Sequence, residues 1–171
     1  MRTCLSLIFC LFCCATVASA ACNSSIPAST PDSQLVDNGD GTISDMLTGL
    51  MWKKCMEGVS GSDCAAGAAA FFTWQQALER PGTVNSGEGF AGYHDWRLPN
   101  IKELTSIVEE QCYDPAINLN RFPNTPSSYV WSGSPYAYYS FDAWNVYFYN
   151  GFSNYYYRSG VSQVRLVRDG Q

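Results

Sequence analysis

Hydrophobic and polar positions alternate most regularly near the C-terminal end of the chain. From Ala143 to Gly151, Trp144, Val146 and Phe148 fall on one side of an extended backbone, and Asn145, Tyr147 and Tyr149 fall on the other. That is the period of a half-buried strand. Asn150-Gly151 is the dipeptide favoured in a two-residue type I′ turn, where both central residues need positive φ, so Phe152 to Arg158 is expected to return as the partner strand. Trp144, Val146 and Phe148 should anchor this hairpin in a core. Its other face carries Tyr, Asn and Ser, for which a core has no use.

A period near 3.6 appears in two places. Thr73 with Gln76 three residues later forms a capping box, and Trp74, Ala77 and Leu78 make an apolar stripe, which predicts a helix running to about Arg80 and stopping before Pro81-Gly82. Pro99 disfavours helix at Leu98, Asn100 and Glu103 form a second capping box, and Ile101, Leu104, Ile107 and Val108 recur at helical spacing, which predicts a helix over Ile101 to Glu110. Short strands are expected around Asp-Asn-Gly-Asp-Gly (Asp37 to Gly41), over Thr48 to Lys53 with Leu50 and Trp52 inward, over Tyr129 to Ser132, and over Gln163 to Arg168 with Val164 and Leu166 inward. Two helices followed by antiparallel strands give the α+β class.

The beginning of the chain changes the picture. Arg2, an apolar run from Leu5 to Val17 and Ala18-Ser19-Ala20 fit a secretory signal peptide over residues 1–20, cleaved after Ala20. Residues 21–33 then read as an extended leader held mainly by Cys22, and residues 34–171 as one domain. Lipidation at Cys22 is the lesser alternative, because Ser19 stands where leucine is usual. The expected location is exported: periplasmic, at the cell surface or secreted, with no membrane insertion once the signal is removed.

Ten basic and 15 acidic residues give a net charge of −5, and loss of Arg2 takes the mature chain to −6. Nucleic acid is therefore a poor partner, since its binding rests on clustered Lys and Arg. Of eight cysteines, four leave with the signal peptide. The remaining Cys22, Cys55, Cys64 and Cys112 can pair in three ways; the short Gly/Ser loop between Cys55 and Cys64 favours Cys55–Cys64 with Cys22–Cys112. Close C-x-x-C pairs that would suggest zinc are missing. Aligning Gly41 with the central glycine of a calcium loop puts Val36 and Leu47 where its first and last carboxylates belong, so a plain hairpin turn is the better reading. No metal or other cofactor is expected.

Six segments carry a resemblance. DNGDGTISDMLTGLMW, TWQQAL, DWRLPNIKEL, FPNTPSSYVWSGSP, AWNVYFYNG and VRLVRDG, in that order from about Leu35 to Asp169, are similar to the Lcl C-terminal domain family, named for the Legionella collagen-like protein. The resemblance implies a C-type-lectin-like fold, with two helices packed on a twisted antiparallel sheet and a ligand-binding surface on the C-terminal strands and loops. It also implies that Trp96 to Leu104 is framework. Some members are variable proteins of diversity-generating retroelements, in which altered asparagine codons never yield Lys, Glu, Gln, Met or Trp. Between Tyr136 and Gly160 the chain has none of the first four.

Tyrosine with Ser, Gly and Asn is the composition of adaptable binding surfaces. The candidate ligand-binding set is Tyr136, Tyr138, Tyr139, Asp142, Asn145, Tyr147, Tyr149, Asn154, Tyr155, Tyr156 and Tyr157, with a cell-surface protein or glycan as partner. A non-catalytic structural module of the envelope is the second reading. Enzymes rank last: His94 reads as structural, nothing is spaced as a triad, and adjacent Glu109 and Glu110 diverge on a helix. Formylglycine-generating enzymes share the wider fold, but no cysteine follows Cys112 here.

Overall fold

The computed structural model describes residues 19–170. Apart from Ser19 and Ala20, the expected signal peptide lies outside the described residues. The chain opens with β1 (Ala21–Cys22), β2 (Leu35–Asp37), β3 (Thr42–Asp45) and β4 (Leu50–Lys53). Short strands β5 (Val59–Ser60), β6 (Ala66–Gly67) and β7 (Phe72–Thr73) lead to α1 (Trp74–Val84) and α2 (Ile101–Thr105). Then follow β8 (Cys112–Tyr113), β9 (Tyr129–Pro135), β10 (Asp142–Tyr147), β11 (Phe152–Tyr157), β12 (Val161–Ser162) and β13 (Val167–Asp169). The strands form antiparallel sheets: β13-β4-β3-β2, β11-β10-β9, and the pairs β1-β8, β5-β6 and β12-β7. Disulfides join Cys22 to Cys112 and Cys55 to Cys64. The class is α+β, as the periodicity predicted.

Both helices start where the capping boxes place them. Thr73 and Asn100 each accept from the backbone N–H three residues on, and Gln76 and Glu103 reciprocate. Their ends differ from expectation. α1 continues through Pro81 to Val84, because Asn85 caps it and is itself fixed: its side chain donates to Trp96 O and accepts from Trp96 N. Leu78, expected in the buried stripe, is exposed, and Ala77 is the buried residue of α1. α2 stops at Thr105, where the Thr105 and Ser106 hydroxyls bond back to the carbonyls of Ile101, Lys102 and Glu103, and Val108 leaves the helix to bridge Ile117. Leu104 and Ile107 are still fully buried.

Two apolar clusters lie on opposite faces of β9 and β10. On one face, Val130, Val146 and Phe148 pack with Leu104, Ile107, Ile117 and Phe122. On the other, Trp131 and Ala143 pack with Ala77, Trp96, Val164 and Leu166. The segments DWRLPNIKEL and VRLVRDG meet through charged pairs: Arg168 forms a two-pronged pair with Asp95, and Arg97 bonds Glu103 and Asp169. Trp96 to Leu104 is thus occupied with framework contacts.

The hairpin departs from a two-residue turn. Tyr147 pairs with Phe152, so four residues form the loop, and of these Gly151 has positive φ, at +78°. The cause is tertiary: Phe148 and Tyr149 accept from the backbone of Ala116 and Asp114 instead of extending the ladder. A side chain at Gly151 would also strike Val108. The register moves by two residues, so every side chain keeps its face.

Candidate functional site

β9 does not run straight beside β10. Ala143 pairs with Pro135 and Asn145 with Trp131, which leaves Ser132 to Ser134 as a bulge. That bulge docks on the start of α2: Gly133 N donates to Pro99 O at 2.7 Å, and Ser134 Oγ accepts from Ile101 N at 3.0 Å. Trp144, opposite the bulge, therefore meets no apolar core. It is half-buried, edge-on to Tyr136 at 5.0 Å, where the alternation predicted a core anchor.

Around Trp144 the aromatic residues form a continuous patch. Tyr136 stacks on Tyr155 at 4.2 Å, Tyr138 meets Tyr139 at 4.7 Å, Tyr139 stacks on Phe141 at 5.6 Å, and Phe141 stacks on Tyr157 at 5.9 Å. Burial among these rings, then the nearby Tyr155, Tyr139, Tyr138 and Asp142, raises the Tyr136 phenol above the ordinary tyrosine range, so it stays neutral. A second ladder runs Tyr129, Tyr147, Tyr149, Tyr113, with centroid separations of 4.2, 5.6 and 6.4 Å.

β11 links the two. All six of its residues are exposed, because it is the edge strand and extends past both apolar clusters. Ser153, Tyr155 and Tyr157 face the Trp144 side, while Phe152, Asn154 and Tyr156 face the Asn145 side. Two clefts flank it. One, of about 250 Å³, is lined by Tyr129, Asn145, Asn154, Tyr155, Tyr156, Val161 and Ser162. The other, of about 330 Å³, is lined by Tyr139, Phe141, Asp142, Tyr155, Tyr156 and Tyr157. Tyr155 and Tyr156 line both. The ring of Tyr156 occupies the space a side chain at Gly160 would need.

Two expected display residues are not on the surface. Asp142 and Asn145 are 4% and 1% exposed: Asp142 lies beneath Tyr139, Phe141 and Tyr155 to Tyr157, and Asn145, paired with Trp131, lies beneath Tyr129, Asn154, Tyr155 and Tyr156. They still line the clefts from below, and each has a side-chain oxygen, Oδ1, without a hydrogen-bond partner. So does Ser162, whose Oγ is buried in the wall of the smaller cleft. Tyr136, Tyr138, Tyr139, Tyr155 and Tyr157 gather in the Trp144 patch, Tyr147 and Tyr149 in the second ladder, and Asn154 and Tyr156 at the cleft between them. Phe141 and Tyr129 were legible as aromatics but not as part of the site. Ser162 had no local signal, since long-range pairing brings it there: β12 pairs with β7, and the adjacent Gln163 bonds the backbone of Tyr129 and Trp131.

Away from β11, His94 Nδ1 lies 3.0 Å from the Asn85 carbonyl in the turn before Trp96. Among the described residues no group of three or more His, Cys, Asp and Glu is arranged to hold a metal, and no helix is long and apolar enough to cross a membrane. The disulfides fit a protein matured in an oxidising, exported setting.

Searches of curated proteins and of solved structures each returned no match. A family model described as the Lcl C-terminal domain matches residues 41–168, a span that takes in both helices, both apolar clusters except Leu35, and all of β11, and the chain therefore belongs to the Lcl C-terminal domain family.

Proposed function

We propose that this is an exported, non-catalytic ligand-binding protein with a C-type-lectin-like arrangement, which recognises a cell-surface protein or glycan through the tyrosine-rich surface centred on β11. The observation that carries the reading is β11 itself, an edge strand with aromatic side chains exposed on both faces and a cleft on each side. Edge strands in stable monomers are usually short, charged or covered. This one carries no charged residue over Phe152 to Tyr157. Tyrosine supplies rigid amphipathic contact area at low entropic cost, and Ser and Asn supply adaptable hydrogen bonds. Diversification by a retroelement would act on these positions without disturbing the two apolar clusters.

The test is Tyr155→Ser, Tyr156→Ser and Tyr157→Ser in one chain. Because these rings are exposed, melting should hold, while capture of the ligand from envelope fractions of candidate partner cells should collapse. Two or three central tyrosines are expected to cost ~2 kcal/mol or more each when truncated. The close stacking of Tyr136 on Tyr155 and of Tyr129 on Tyr147 favours a second reading, a structural module of the envelope in which the rings brace one another. Unchanged capture together with lower melting would select that reading.

A further inference from the structure

Asp142 begins β10 beneath the larger cleft, and its side chain is almost wholly enclosed. Its Oδ1 has no hydrogen-bond partner, and Asp142 takes part in none of the ion pairs among the described residues. Arg158, which reaches the backbone of Asp142, is otherwise engaged. It donates Nε to the backbone oxygen of Asp142 at 3.0 Å and lays its guanidinium over the Trp74 ring at 4.3 Å. A carboxylate oxygen removed from water without a partner carries an unmet electrostatic demand that an incoming hydrogen-bonding cation can meet. Above it stand Tyr139, Phe141, Tyr155, Tyr156 and Tyr157, whose π faces attract cations.

We propose that this cleft is a cation subsite that takes a guanidinium group, the side chain of an arginine on a partner protein. This rests on the ligand-binding reading above and narrows its partner to a protein. A guanidinium is planar, sheds water more readily than an ammonium, stacks on aromatic faces and offers paired N–H donors that match a carboxylate. A quaternary ammonium would satisfy the rings but donate nothing to Asp142. The net charge of −5 adds long-range attraction for a basic partner. Tyr139, Phe141 and Tyr157 are largely exposed, so they can rotate aside as the group enters.

The experiment titrates the full mature chain with Nα-acetyl-arginine amide, with the uncharged citrulline analogue of the same shape, and with tetramethylammonium, following tyrosine fluorescence and melting. Arginine amide should bind in the millimolar range and the other two markedly more weakly. Asp142→Asn should weaken arginine binding by about tenfold or more, the worth of a hydrogen bond to a charged group, and should melt no lower than the parent chain. A lower melting temperature for Asp142→Asn would assign the carboxylate to the fold and overturn the inference. Equal binding of arginine and citrulline amides, or arginine affinity unchanged by Asp142→Asn, would overturn it too. Phe141→Ala with Tyr157→Ala gives an independent arm, expected to weaken arginine binding several-fold; no change there would also count against the cage. If the Tyr155, Tyr156 and Tyr157 variant loses ligand capture while Asp142→Asn retains it, the recognition surface stands and the arginine subsite falls.

Discussion

At the scale of single residues, the two aromatic side chains at Trp144 and Phe148 separate what alternation predicts from what packing decides. Both sit on the same nominal face of the hairpin, and both were expected to be anchors. Phe148 is 1% exposed among Leu104, Ile107 and Ile117, whereas Trp144 is half-buried against Tyr136 and Tyr155 because the bulge at Ser132 to Ser134 removes its partner. Phe148→Ala should therefore cost about 3–5 kcal/mol through lost transfer energy and the cavity left behind. Trp144→Ala should cost clearly less and should instead disturb the aromatic patch. Urea denaturation of the two variants checks this, and equal losses would mean that Trp144 is an anchor after all.

At the scale of elements, local chemistry was legible and tertiary rescue was not. The starts of α1 and α2 follow from Thr73, Gln76, Asn100 and Glu103, all within one turn, but their ends depend on Asn85 reaching Trp96 and on hydroxyls at Thr105 and Ser106. The tyrosines of the candidate site were legible as a cluster from composition. The burial of Asp142 and Asn145 was not, since it arises from aromatic side chains of β9, β11 and the segment before β10 that fold over one strand.

The leader shows the same limit. Its attachment was expected mainly at Cys22, yet buried Glu109 also grips it. The carboxylate accepts from Ser29 N, Ser29 Oγ, Thr30 N and Thr30 Oγ1 at 2.8–3.1 Å, and from Gln111 N at 3.0 Å. Burial works against the charge of Glu109, but the N–H groups of Ser29, Gln111 and Thr30 prevail and hold its pKa below the ordinary glutamate range. A carboxyl depressed in the folded state adds stability above its unfolded pKa, and that stability is lost as the pH falls through the folded value. Acidification below the usual glutamate range should therefore release residues 29–30 while the sheets persist. Glu109→Gln should lose about 1.5–3 kcal/mol at neutral pH and flatten the acid limb. Hydrogen exchange at Ser29 and Thr30 against pH reads this out; protection that ignores pH would assign the leader to the disulfide alone.

For the whole molecule, the question is how a small domain that spends an entire strand on exposed aromatics keeps its fold. The two disulfides answer unequally. Cys22–Cys112 spans 90 positions and Cys55–Cys64 spans 9. Restricting the unfolded chain gives about 4.6 kcal/mol for the first and about 2.6 kcal/mol for the second on the loop-entropy relation. Against a typical total of about 5–15 kcal/mol, the long bridge is a large share. Replacing Cys22 and Cys112 with alanine should thus lower unfolding stability by about 2 kcal/mol more than replacing Cys55 and Cys64. Neither pair lines the clefts beside β11, so ligand capture measured below the melting temperature should be unchanged in both variants. Denaturant titration with the slopes compared is the measurement. A larger loss from the short loop would show that Cys55–Cys64 is holding native structure in place, through β5, which it encloses, and the pairing of β5 with β6 just beyond Cys64, rather than restricting the unfolded chain.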